Sequence, residues 1–114
     1  MFDGLKNIGN LGSLMSRAKE MQDKLKALQE ELGAREFTGD SSAGGILATV
    51  NGKLELLRLS IDRTRLDMGN TDLLQQLIVS AVAAAQFKAA SAMKDEMAKL
   101  ASDMGVPPGM LPGN

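Results

Sequence analysis

From Leu14 onward, apolar side chains fall at alternating steps of four and three: Leu14, Ala18, Met21, Leu25, Leu28 and Leu32. That spacing keeps every member on one narrow stripe of a helix for almost three heptads, which is the pattern of a helix that packs against another helix. Ser13 reads as its N-cap and Gly33 as its C-terminal stop, so a helix of about 30 Å is expected over 13–33, at about 1.5 Å per residue. Ahead of it, residues 1–12 contain Gly4, Gly9 and Gly12 and read as a flexible arm.

A change of period follows. Over 34–62 the chain alternates in the manner of short strands, at 35–38, 46–50 and 54–61. Between the first two lies a turn-rich stretch, Gly39-Asp40-Ser41-Ser42-Ala43-Gly44-Gly45. Between the last two lies Asn51-Gly52, which suits a tight type I′ hairpin. Leu57, Leu59 and Ile61 alternate with Arg58 and Ser60, so a small antiparallel sheet of three strands covered on one face is expected. Residues 62–69 connect it to a second helix, capped by Asn70 or Thr71 and extending to 104. The first half of that helix is rich in alanine (Ala81, Ala83, Ala84, Ala85, Ala89, Ala90), which allows close approach to a sheet or a helix. Its second half narrows to Met93, Met97, Leu100 and Met104, a second seam that asks for a partner. The proline-rich residues 105–114 cannot be helical and read as a flexible tail. The whole is one α+β domain over 1–114, with helices too long for a compact body of this length.

Composition narrows the chemistry. With no His, no Cys, no Tyr and no Trp, the chain lacks the commonest general acid–base group, the best nucleophile and the thiolate and imidazole metal ligands. Nothing in the sequence points to catalysis, a metal or another cofactor. The glycines of the arm lack the Gly-Lys-Ser/Thr ending of a phosphate loop. The longest apolar stretch, 77–85, falls short of the roughly 20 residues of a membrane span, and no apolar leader opens the chain. A soluble, intracellular protein is the expectation, without a membrane or small-molecule partner.

Three stretches, read together and in order, resemble one family: LGSLMSRAKEMQDKLKALQEEL, TGDSSAGGILATVNGKLELLRLSID and DLLQQLIVSAVAAAQFKAASAMKDEMAKL, followed by PPGM in the tail. The chain resembles the YbaB/EbfC family of bacterial nucleoid-associated proteins. The resemblance implies a homodimer whose sheets pair at the centre and whose helices project as tweezer-like, coiled-coil arms. It also implies binding of duplex DNA in the bacterial cytoplasm or nucleoid with modest sequence preference, and no catalysis. A role in chromosome organisation or gene regulation is the expectation that goes with it. The family often carries Pro after the Asp that ends the last strand; here Arg63 follows Asp62.

Charge alone does not announce a DNA-binding protein. Thirteen Lys and Arg stand against fourteen Asp and Glu, and each third of the chain is nearly balanced, so a binding surface requires local segregation of charge. On the first helix Arg17 and Lys24 share a face, as do Lys19 and Lys26. Lys6, Lys88, Lys94 and Lys99 complete the candidate DNA-contacting set. The same lysines also fit intrahelical pairs (Glu20–Lys24, Lys19–Asp23, Lys26–Glu30, Asp95–Lys99) that merely support a solvated helix. The seams serve equally a second reading, a dimeric protein–protein scaffold or chaperone-like protein that grips a polypeptide.

Overall fold

A computed structural model describes residues 2–105, for 2–10 the backbone alone; the tail expected over 105–114 lies, beyond Gly105, outside the described residues. Its elements run α1 (Phe2–Ala34), β1 (Glu36–Asp40), β2 (Ile46–Asn51), β3 (Leu56–Ile61) and α2 (Thr71–Asp103). The strands form one antiparallel sheet in the order β1-β2-β3. The expected α+β class, with a three-stranded sheet between two long helices, is the one found.

α2 lies across β1 and β2. Leu77, Ala81, Ala85 and Ala89 are spaced four apart, so they form one stripe that is almost fully buried against Ile46, Ala48 and Val50 of β2. The approach is close because β1 presents Gly39 to the helix. A Cβ there would stand 2.3 Å from the Ala85 amide nitrogen and 2.6 Å from the Ala81 carbonyl oxygen. This explains why β1 runs on through Gly39 and Asp40, where turn chemistry was expected. The glycine serves a close approach in an extended strand, paired with Ala48. An 18-residue window of α2 reaches a mean hydropathy of 1.3, apolar enough by composition for a membrane span; its alanine stripe instead forms the core of this fold.

Asn70 caps α2, its side chain accepting a hydrogen bond from the Leu73 amide at 3.2 Å. The connection before it is closed by Asp62, whose Oδ1 accepts from the Thr64 amide at 3.0 Å and the Thr64 hydroxyl at 2.6 Å. An Asx turn thus supplies the bend at Asp62-Arg63 without a proline. These bonds also hold the Asp62 carboxyl below its ordinary pKa, the Thr64 side chain being the larger cause.

Two local expectations are corrected. The arm expected over 1–12 is helical from Phe2, and Ser13 lies inside α1 and not at its cap. Glycines cost about 1 kcal/mol each relative to alanine but remove no backbone donor, and no proline interrupts the stretch. The β2–β3 connection is not a two-residue type I′ turn. It is a loop over 52–55 in which Leu54, expected in the strand, carries the positive φ of 68°. Asn51 organises it, its Oδ1 accepting from the amides of Lys53 (2.9 Å) and Glu55 (3.1 Å). Gly52 is needed for space, because a Cβ there would lie 1.9 Å from the Leu32 carbonyl oxygen. This contact seats the end of α1 on the sheet.

From that seat α1 turns away alongside the second half of α2, antiparallel to it. The molecule is 79 × 23 × 18 Å with a radius of gyration of 21.4 Å, against about 13 Å for a compact domain of this length. It is a small sheet-centred body with a helical arm.

Candidate nucleic-acid interface

The arm is the feature that most distinguishes this fold, and its inner seam follows the heptad spacing. Leu32 is buried, and Met21, Leu25 and Leu28 are half-buried, as are Met93, Met97, Leu100 and Met104 of α2. Ala101 is also buried at this junction, though it was not among the expected seam residues. The outer members of the α1 seam stand free: Leu14 and Ala18 are exposed, with Leu11 and Met15 beside them. The structure therefore closes the expected helix pair over its inner half alone.

Between the helices runs a groove of about 270 Å³ lined by Lys24, Ala27, Leu28, Glu31, Glu96, Lys99, Leu100 and Asp103. Two lysines against three carboxylates make it acidic on balance. Lys24 is in addition paired with Glu20 at 3.3 Å, the expected i,i+4 partner. Lys24 and Lys99 thus stand among carboxylates that offset their charge, an arrangement that disfavours phosphate relative to the unpaired cations elsewhere on the arm.

The other candidates divide in two. Arg17, Lys19 and Lys26 of α1 and Lys94 of α2 project into solvent. Lys88 does not present its charge freely: its Nζ donates to the Thr38 carbonyl oxygen at 2.8 Å. The Lys6 side chain lies outside the described residues. Sequence reasoning passed over the cations near the sheet, and the structure shows how several are engaged. Arg58 forms a two-pronged pair with Glu36 across the sheet, at 2.9 and 2.8 Å. The hydrogen bond to Arg58 holds the Glu36 carboxyl below its ordinary pKa. The Arg35 guanidinium lies 5.2 Å from the centre of the Phe37 ring, and the Lys53 stem lies against Gly33.

The two edges of the sheet differ. Beside β1, Lys88 occupies the Thr38 carbonyl, and a lysine at a strand edge discourages further strand pairing. β3 forms the opposite edge and is exposed along almost its whole length. Leu56, Leu57 and Leu59 stand 49%, 44% and 37% exposed. Leu59 and Ile61 pair with buried Ala48 and Ile46 and so extend the core face beyond the cover of α2. The alternation expected of Leu57, Leu59 and Ile61 holds for the last two only: the register shifts at Thr49/Val50, so Leu56 and not Leu57 pairs with Val50, and one chain covers only part of the face.

Fold and surface together define a binding protein: a small sheet that carries a long helical arm bearing free cations. Among the described residues, no group of three or more acidic side chains is gathered as a metal ion would require. Residues 7–104 match the YbaB/EbfC DNA-binding family, and the chain belongs to that family, one of DNA-binding proteins and not of enzymes. It is 41% identical over 100 residues to a nucleoid-associated protein of Paramagnetospirillum magneticum, covering 88% of this chain and 94% of that one. It is 36% identical over 98 residues to a nucleoid-associated protein of Gemmatimonas aurantiaca, covering 86% and 94%. The fold is similar to the crystal structure of an uncharacterized protein from Helicobacter pylori, with a TM-score of 0.57 at 24% identity, over 82% of this chain and 91% of that one.

Proposed function

We propose that this chain is a nucleoid-associated protein of the bacterial cytoplasm that binds duplex DNA as a homodimer, without catalysing a reaction. Membership of the family carries the DNA reading. The names of the two bacterial relatives support its place on the nucleoid.

The dimer reading rests on the asymmetry of the sheet edges. β3 offers unpaired backbone groups and exposed leucines, whereas Lys88 guards β1. Pairing β3 with β3 of a second copy would satisfy the backbone and cover Leu59 while leaving both arms free to project. Each arm then presents Arg17, Lys19, Lys26 and Lys94, with Lys6 further along α1. These few cations per chain, offset by nearby carboxylates, imply modest affinity and contacts mainly to phosphate, with any preference set by DNA shape.

Duplex binding by the purified chain across a salt series tests this. Affinity should fall as salt rises, with a slope that counts phosphate contacts. Absence of binding to any duplex at low salt would favour a protein–protein scaffold.

A further inference from the structure

We propose that the outward face of α2 is a self-association surface, on which α2 of a second copy lies antiparallel about a two-fold axis at Ala83. The surface is separate from the β3 edge; its role in joining DNA-bound dimers rests on the function proposed above.

The face is what the sheet leaves over. Leu77, Ala81, Ala85 and Ala89 turn one side of α2 into the core. At about 100° per residue, Val79, Ala83, Phe87 and Ala90 fall on the opposite side, and all four are exposed. Phe87 and Val79, at 73% and 67%, are the most exposed large apolar side chains among the described residues. The core does not exhaust the apolar character of α2: of its 18-residue apolar window, only 22% is buried.

The occupant follows from the order of residues along this face. Asp72 and Lys94 continue it at its two ends, and each stands eleven residues from Ala83. Lys88, the one charge between them in sequence, is turned to the Thr38 carbonyl of β1. An antiparallel pair centred on Ala83 therefore brings Asp72 of each copy level with Lys94 of the other. The same operation sets Phe87 beside the second copy's Val79, and Ala90 beside its Gln76. Ala83 at the crossing has the small side chain that close helix packing needs. Among the described residues, neither Asp72 nor Lys94 is in an ion pair within the chain. An open groove of about 530 Å³ lined by Asp72, Gln75, Gln76 and Val79 lies at the level where the second copy's Ala90 and Lys94 fall. A parallel pair would instead set like charges against each other. A lipid surface would ask for a basic rim, and this face has one acid and one base.

The strip is one helix wide, far below the about 20–30 residues a side of a stable interface. It fills where copies are already concentrated, as dimers on one duplex are. In that assembly Lys94 answers a carboxylate of another copy and leaves Arg17, Lys19 and Lys26 to phosphate. Pairing through β3 and pairing through α2 use separate two-folds, so together they join dimers into tetramers or chains.

The chain has no Cys, so a single introduced cysteine reports the contact without background. Ala83→Cys at the two-fold meets its own copy. Ala90→Cys lies on the same face but would stand fourteen residues from its copy along the pair. That is about 21 Å, beyond the about 7 Å that a disulfide bridges. At high micromolar protein without DNA, mild oxidation should link Ala83→Cys chains at least about tenfold faster than Ala90→Cys chains. Equal rates overturn the proposal. In the Ala83→Cys background, Asp72→Lys or Lys94→Asp alone should slow linking about threefold, and the two together should restore it. No loss in either single variant, or no recovery in the double, overturns the antiparallel register. Adding duplex should speed linking several-fold; an unchanged rate on duplex that the chain does bind overturns the role there. A chain that binds no duplex fails the function proposed above and leaves the linking rates without DNA as they are.

Discussion

Gly39 of β1 and Ala85 of α2 meet backbone to backbone: a side-chain carbon on Gly39 would stand 2.3 Å from the Ala85 nitrogen. The strand and helix are in register only because neither residue has bulk at the crossing. Gly39→Ala must push α2 away from a core built on Ala81, Ala85, Ala48 and Val50. The expected loss is about 3 kcal/mol or more, at or beyond the upper end of ordinary overpacking. Urea denaturation followed by circular dichroism measures it, and a loss below about 1 kcal/mol would contradict the close approach.

Two further glycines should respond with opposite signs. Gly52 touches the Leu32 carbonyl, so Gly52→Ala should unseat α1 and destabilise the protein by about 2 kcal/mol or more. Gly12 lies within α1 with nothing within 4 Å of a Cβ. Gly12→Ala should therefore raise stability by up to about 1 kcal/mol. Thermal melts of the two variants against the parent separate these outcomes.

Acid should weaken the fold through two depressed carboxyls. Glu36 is held low by its hydrogen bond to Arg58, and Asp62 by Thr64. A depressed folded-state pKa stabilises above the unfolded pKa and is lost as pH falls through the folded value. Stability should thus decline as pH drops through and below the ordinary carboxylate range. Both groups are exposed, so the effect is small and screened by salt. Denaturant midpoints for Glu36→Gln and Asp62→Asn should fall less than the parent's between neutral pH and pH 3; parallel curves would rule these groups out.

The open β3 edge makes an oligomeric prediction. Replacing Leu57 and Leu59 together by Glu should leave the helical circular dichroism in place, since both are exposed in the single chain. It should turn a dimer into a monomer by light scattering, because two charged rows would face each other across the paired edges. A parent that is monomeric at micromolar concentration, or a variant that stays dimeric, would refute pairing through β3.

For DNA, the exposed cations of α1 should matter more than those of the groove. Arg17→Ala with Lys26→Ala should weaken duplex binding about tenfold at low salt and flatten the salt slope. Lys24→Ala should change little, since Lys24 is paired with Glu20 beside an acidic groove. Fluorescence anisotropy over a salt series checks both, and a larger effect from Lys24 would reverse the assignment of faces.

Local spacing made much of this protein legible before any coordinates. The heptad from Leu14 to Leu32 marks one helix, the alanine-dense stretch after Asn70 marks the other, and the β alternation lies between. Side-chain periodicity is a property of the chain itself, so these elements can be read directly. Glycines are harder to read, because their sequence signal is the same whether they bend a chain or admit a neighbour. Gly39 and Gly52 read as turn residues, but they serve close approaches of backbone from elsewhere in the chain. Leu54, with nothing unusual in its sequence context, takes the positive φ instead. Likewise Lys24 and Lys88 look no different in sequence from Lys19 and Lys26. The spacing allows an i,i+4 pair for Lys19, Lys24 and Lys26 alike, and the structure forms the one between Glu20 and Lys24, while the Lys88 bond to the Thr38 carbonyl is set by tertiary geometry.

The sequence by itself thus determined the helices, the sheet and their order, because each follows from periodic side chains within a short window. Only the tertiary structure decided how far α2 covers α1, which sheet edge is open and which cations are free. Apart from the Glu20–Lys24 pair within one helix, those depend on distances between residues far apart in the chain, which no local pattern encodes.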